Sequence, residues 1–283
     1  MKRRQLMLVG LGGLTVLGGG RSWAAPAKSP PGKLTVQWLG HTCFLFSSPE
    51  GRILVNPFRP AGCTLGYRRP KVEADLILLS SRLLDEGALD VVEGNPRVLY
   101  QPGVFTVDNF DRLQGISTLH DRKDGRQFGI NVAWRWQQAG MDILHLGSIA
   151  SPPAPEEKIL LGRPDILFVP VGGGPKSFDA ELAQAATREI EPRLVIPTQY
   201  RTEAADDTCE LQGVDSFLKY FDSNLVKAYK TNTISIAAGS LPREPAASGP
   251  QVRTFAYNFA DKTTASQTKP ASKSAFPGSG SPQ

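Results

Sequence analysis

The 283-residue chain carries a formal charge of +5, 23 prolines, 28 glycines and three cysteines. Three cysteines exclude a disulfide framework: at most one bridge forms, and the spacing of Cys43, Cys63 and Cys209 makes no zinc-ribbon pair. The charge excludes nucleic acid rather than inviting it. Lys2, Arg3, Arg4 and Arg21 belong to the N-terminal segment, and Lys262, Lys269 and Lys273 against Asp261 to the C-terminal one, which leaves a near-neutral body.

"MKRRQLMLVGLGGLTVLGGGRSWAAPA" has the basic start, apolar stretch and small-x-small end (Ser22, Ala24) of an export signal over residues 1–24. Arg3 and Arg4 followed by Gln5, Leu6 and Met7 resemble a twin-arginine signal. The apolar stretch is short and glycine-diluted where a span takes about 20 apolar residues, so no stable membrane span is expected after cleavage. The expected destination is the periplasm, or the thylakoid lumen of a photosynthetic bacterium.

Residues 33–240 read as one domain without an internal linker. In order, "KLTVQWL", "CFLFSS", "RILVNP", "DLILLS", "RVLYQ", "INVAWRWQ", "MDILHLG", "DILFVPV", "RLVIPTQ", "LVKAYK" and "TISIAA" have the β-branched and aromatic character of strands. Hairpins are expected to turn at "SPEGR" and "QQAGM". "SFDAELAQAATREI" is the clearest helix, capped by Ser177, with Ala183, Ala186 and Ile190 on its buried face. Many short strands with few helices imply an α/β architecture of two sheets packed together and covered by helices. The alternative, a doubly wound parallel sheet, conflicts with the hairpins. Beyond 240, residues 241–283 turn to Pro, Ser and Ala and read as a mostly disordered tail, interrupted by "VRTFAYNFA".

Four ordered segments carry a family resemblance. "LTVQWLGHTCFLFSSPEGRILVNPF", "GMDILHLGSI", "DILFVPVGGG" and "EIEPRLVIPTQY" resemble the opening hairpin, LGD turn, PVGG and IPxHY segments of the metallo-β-lactamase superfamily. Within it they are most similar to the ascorbate-6-phosphate lactonase-like hydrolases. The resemblance implies a four-layer αββα sandwich with a two-zinc site in loops at one edge of the sheets.

Laid on that pattern, the loop "ADLILLSSRLLDEGAL" departs from T-H-x-H-x-D-H. The family's histidines fall on Ser81, Leu83 and Glu86, and only the aspartate survives, as Asp85. The next histidine matches His120, the bridging aspartate falls on Ser148, and the last histidine falls on Gln199. Asn56 replaces a usual aspartate, and His41 holds a position near the site. Zinc needs neutral imidazole or anionic ligands; leucine donates nothing and a protonated hydroxyl donates poorly.

Zinc is therefore not expected. The oxygen-rich remainder, Asp85, Glu86, Gln199 and Ser148, suits a weak Ca²⁺, Mg²⁺ or Mn²⁺ site if the oxygens converge. The bland expectations are that Asp85 and Glu86 cap a following helix or bond loop amides, that His41 is a hydrogen-bonded turn residue, that His145 packs in the sheet, and that His120 is a satisfied buried imidazole. "VGGGP" is a candidate anion nest without the phosphate-loop pattern, and no G-x-S-x-G elbow is present. The functional expectation is an exported, metal-free relative that binds a small ligand or a protein partner through the old cleft. Two alternatives stand beside it: a hydrolase of lactones or phosphoesters with an atypical metal site, and an assembly factor whose partner contacts "VRTFAYNFA" and the tail.

Overall fold

The computed structural model describes residues 32–245 and 248–259. The segment 1–24 expected to be a signal, and the tail beyond Phe259, lie outside the described residues. In chain order the strands and helices are β1 (Lys33–Gly40), β2 (Cys43–Ser48), β3 (Gly51–Val55), β4 (Leu76–Leu78), β5 (Arg97–Leu99), β6 (Gly103–Val107), β7 (Phe110–Leu119), β8 (Ile130–Gln138), β9 (Met141–His145), α1 (Pro155–Leu161), β10 (Ile166–Pro170), α2 (Ala180–Ile190), β11 (Leu194–Thr198), α3 (Asp215–Leu218), β12 (Val226–Ala228), β13 (Thr233–Ala237) and β14 (Gln251–Thr254).

They form two mixed sheets. One has the order β13-β1-β2-β3-β4-β5, the other β12-β14-β11-β10-β9-β8-β7-β6. Both expected hairpins are present, β2–β3 and β8–β9, each antiparallel. β3, β4 and β5 pair in parallel, as do β9, β10, β11, β14 and β12. A doubly wound sheet is thereby excluded.

Alternation decides the buried face of β1 and β13, whereas β4, β10 and β11 are buried along their whole length. In β1, Leu34, Val36 and Trp38 point inward. Across the sandwich, Phe46 of β2 meets Trp136 of β8 and Phe168 of β10 edge-on at 4.9 and 5.0 Å. Such aromatic pairs add about 0.5–1.5 kcal/mol each beyond their burial. α2 buries Ala183, Ala186 and Ile190 as its periodicity requires, but its cap is Asp179 rather than Ser177: the Asp179 carboxylate accepts from Leu182 N–H.

Two parts of the fold depart from expectation. β6 escapes sequence reading because it is short and mostly exposed, and β7 because its alternation is broken by Gly115 and by charged residues; they join at Asn109, whose φ is +67°. The second departure is the tail boundary at 240. Within "VRTFAYNFA", β14 inserts between β11 and β12, Phe255 packs on Trp38, and Tyr257 lies 4.8 Å from Tyr67. Phe255 is buried in the chain's own core, and Tyr257 and Phe259 are partly buried against it.

Candidate functional site

Seven loops meet at one rim, where β1, β3, β4, β7, β9, β10 and β11 all end. That is the rim of an α/β architecture at which side chains from separate strands come together. His41 follows β1, Asn56 follows β3, Ser80 to Glu86 follow β4, His120 follows β7, Ser148 follows β9, Lys176 follows β10 and Gln199 follows β11. His41, Asn56 and Gln199 all hold left-handed φ values, +55°, +52° and +52°. Non-glycine residues there cost about 1–3 kcal/mol each, and such strain concentrates at sites.

The candidate residues do not meet at one point; they separate into two groups. The inner group surrounds Glu86, which is fully buried. Ser81 Oγ donates to its Oε1 at 2.8 Å, Ser148 Oγ donates to its Oε2 at 2.6 Å, and His120 Nε2 lies 2.9 Å from Oε1. Burial pushes the Glu86 carboxyl upward, but the neighbouring His120 imidazole, the Lys176 charge and the Ser148 hydroxyl outweigh it and hold the group below the ordinary carboxylate range. Leu83 contributes only backbone: its N–H donates to Ser81 Oγ at 3.1 Å and its carbonyl accepts from Glu86 and Gly87.

Neutral amides brace this group from behind. Asn131 donates to Leu146 O and accepts from Ser148 N–H, at 2.8 and 2.9 Å. Asn56, where an aspartate was expected to have been lost from the site, clamps the β4 loop instead: its Oδ1 accepts from Ser80 N–H and its Nδ2 donates to Ser80 Oγ. Gly147 is required beside Ser148, because at φ +64° a Cβ would stand 2.3 Å from Asn131 Oδ1. His145 stacks on Phe168 at 5.4 Å in the core, its Nδ1 accepting from Gly147 N–H, and burial lowers its pKa to about 4.

The outer group faces a cavity of about 330 Å³ lined by His41, Asp85, Lys176, Gln199, Pro175 and Leu211, among others. Lys176 forms an ion pair with Asp85. Both ring nitrogens of His41 and Oε1 of Gln199 are buried without a hydrogen-bond partner. Burial, aided by Lys176, lowers the His41 pKa against the opposing pull of Asp85 and Glu86. One wall is stapled by a disulfide between Cys63 and Cys209, while Cys43 is a buried free thiol.

Several expectations are corrected by this geometry. Asp85 and Glu86 cap no helix: one pairs with Lys176, the other binds two serine hydroxyls. His41 is a hydrogen-bonded turn residue through its backbone, its carbonyl accepting from Trp38 Nε1–H at 3.1 Å and from Gln199 N–H, but its imidazole has no partner. His120 is buried but not satisfied: neither ring nitrogen makes a hydrogen bond, although Nε2 lies 2.9 Å from Glu86 Oε1. Lys176 was missed, although it stands directly after the "VGGGP" run; nothing in that spacing signals that its ammonium would reach a carboxylate 91 residues away.

The donor set does not fit a two-zinc centre. Leu83 has no donor atom, Ser81 has committed its proton to Glu86, and the Asp85 charge is matched by an internal ammonium. Among the described residues no three His, Cys, Asp or Glu side chains are grouped to hold a metal ion. The oxygens of Asp85, Glu86, Gln199 and Ser148 likewise fall in both groups rather than around one centre.

Two packed mixed sheets with their loops gathered on this rim define the metallo-β-lactamase class of fold. The chain belongs to the β-lactamase superfamily: the model of that superfamily's domain matches residues 35–199. Relatives agree. The chain is 24% identical over 196 residues to a Thermoplasma acidophilum protein named UPF0173 metal-dependent hydrolase, covering 60% of this chain and 84% of that one. A Methanoculleus marisnigri protein of the same name is 27% identical over 191 residues, covering 60% and 82%. A Thermotoga maritima structure, described as a candidate Zn-dependent hydrolase of the metallo-β-lactamase superfamily, superposes with a TM-score of 0.63 at 27% identity, covering 78% of this chain and 98% of that one. These names fit the metal-dependent hydrolase expectation better than the non-catalytic one, and they run against the expectation of no cofactor. The lactonase-like branch is not singled out by any of them.

Proposed function

We propose that this chain is a ligand-binding member of the superfamily that uses the old cleft without zinc. The observation that carries the reading is the pair of orphaned groups at the cavity wall, the His41 imidazole and Gln199 Oε1. A buried polar group without a partner costs about 1–3 kcal/mol, and a ligand that supplies the partner recovers it. The closed Glu86 network supports the same reading, because its internal donors satisfy the carboxylate that a cation would otherwise neutralise. The test is metal analysis of protein purified in the presence of zinc, with hydrolysis assays on lactones and phosphoesters. Substoichiometric zinc and no turnover are expected; two firmly held ions with turnover overturn it.

A second reading is favoured by the relatives' names: a hydrolase of lactone or phosphoester type with an oxygen-rich site. It uses Asp85, Glu86, His120 and Gln199, and requires Lys176 to release Asp85 toward the ion. Thermal stabilisation by Mn²⁺ or Ca²⁺ that Asp85→Asn abolishes supports this reading, and no shift with any divalent ion removes it.

Export remains part of the proposal. The Cys63–Cys209 bridge supports an oxidising compartment, since such bonds are uncommon where thiols are kept reduced. Among the described residues no helix is long and apolar enough to cross a membrane.

A further inference from the structure

We propose that a second cavity, sharing no lining residue with the first, binds the phosphoryl group of a small organic phosphate. It has a volume of about 470 Å³ and lies between the loop 68–72, the turn 230–232 and the segment 256–258. Its cations are Arg68, Arg69, Lys71 and Lys230, and no carboxylate lines it among the described residues. Arg69, Lys71 and Lys230 make no ion pair among the described residues. The acids next along the chain, Glu73 and Asp75, are both engaged by Arg52. Arg69, Lys71 and Lys230 therefore present positive charge on this wall that no ion pair among the described residues neutralises.

The walls are held in place before any ligand arrives. Lys71 N–H donates to Arg69 O at 2.7 Å and Val72 N–H to Pro70 O at 3.1 Å, which makes "RRPKV" a tight double turn about a buried proline. Tyr257 Oη accepts from Arg68 N–H at 3.1 Å, tying that loop to the C-terminal segment. Opposite, Asn232 is fixed to β1 at both ends: its carbonyl accepts from Trp38 N–H and its Nδ2 donates to Trp38 O. Cations presented from two opposing fixed walls suit an anion with several oxygens at wide angles, which describes a phosphate monoester better than a carboxylate. Gln37, Thr231 and Asn258 line the same space as hydroxyl and amide partners, and Leu39 and Val72 supply apolar wall for the organic part.

Size and charge set the occupant. The concavity fits a small molecule, and the near-neutral body lacks the broad positive field that a nucleic acid needs. Nor does the chain's own C-terminal end complement it, since residues 260–283 carry Lys262, Lys269 and Lys273 against Asp261.

Calorimetric titration of the purified protein with phenyl phosphate, inorganic phosphate and phenol tests the proposal, alongside sedimentation with phosphatidylcholine vesicles with and without phosphatidic acid. Saturable, salt-sensitive binding of phenyl phosphate is expected, with inorganic phosphate weaker and phenol silent. The Lys71→Ala/Lys230→Ala variant, changed only at exposed side chains, should keep its melting temperature and lose affinity by about tenfold or more. Co-sedimentation only with phosphatidic acid, lost in the same variant, keeps the phosphoryl recognition and assigns its source to a lipid headgroup. No saturable binding in any arm, or equal affinity of the variant, overturns it.

Discussion

The two carboxylates that stand side by side in the β4 loop have opposite fates. Glu86 is sealed inside, held by Ser81, Ser148 and His120. Asp85, one residue earlier, reaches the cavity and meets Lys176. The inner group gathers two serine hydroxyls and the His120 ring around one carboxylate, with neither His120 nitrogen in a well-aligned hydrogen bond; the outer group is open and leaves the His41 ring and Gln199 Oε1 unpaired at a cavity wall. A metal site lost from a scaffold is thus not simply deleted. Its buried half is rebuilt as a hydrogen-bonded network, and its exposed half is left as a cleft.

The largest expected effect sharpens this contrast. Glu86→Ala leaves two hydroxyls without their acceptor and the His120 imidazole without its carboxylate neighbour, and should cost about 3–5 kcal/mol in urea unfolding. An equal loss from Asp85→Asn would erase the distinction between the groups. Next, Cys63→Ser/Cys209→Ser removes a bridge that closes 146 residues and should cost about 2–4 kcal/mol, read as a lower denaturation midpoint matched by reducing the parent protein. A parent protein indifferent to reductant would argue that the bridge is absent.

Acid should then act on the buried groups. His145 has a pKa of about 4 in the folded chain against about 6.5 when unfolded, so the unfolded state binds the proton first. Stability is full above pH 6.5 and falls between pH 6.5 and 4, by at most about 3 kcal/mol from this residue. Glu86, depressed below its unfolded value, contributes stability that is present above about pH 4.3 and is lost as pH drops further. His145→Gln should flatten the slope above pH 4.3 and leave the part below it, as followed by chemical unfolding at each pH. The smallest effect is expected outside: Lys176→Met, in a partly exposed pair, should cost about 1 kcal/mol or less in the same assay.

Much of this was legible along the chain. Alternation in strands such as β1 and β13, and short apolar runs bounded by turn signals in β4, β10 and β11, located β1 to β5 and β8 to β13, because both signals are local. β6, β7 and β14 were not legible; β14 is held by pairing with β11 on one side and β12 on the other rather than by its own composition. The identity of the site positions could be read in order, Ser81, Leu83, Asp85, Glu86, His120, Ser148 and Gln199, but their partners could not.

By itself the sequence determined the sandwich, through alternating apolar residues and turn signals, and it determined that imidazoles are missing, through coordination chemistry that admits no substitute in leucine. Only the tertiary structure decided that Glu86 turns inward and Asp85 outward, that Lys176 supplies a cation, and that "VRTFAYNFA" joins the core. These depend on distances between residues far apart in the chain, and side-chain burial and charge pairing are properties of the folded neighbourhood rather than of any local stretch.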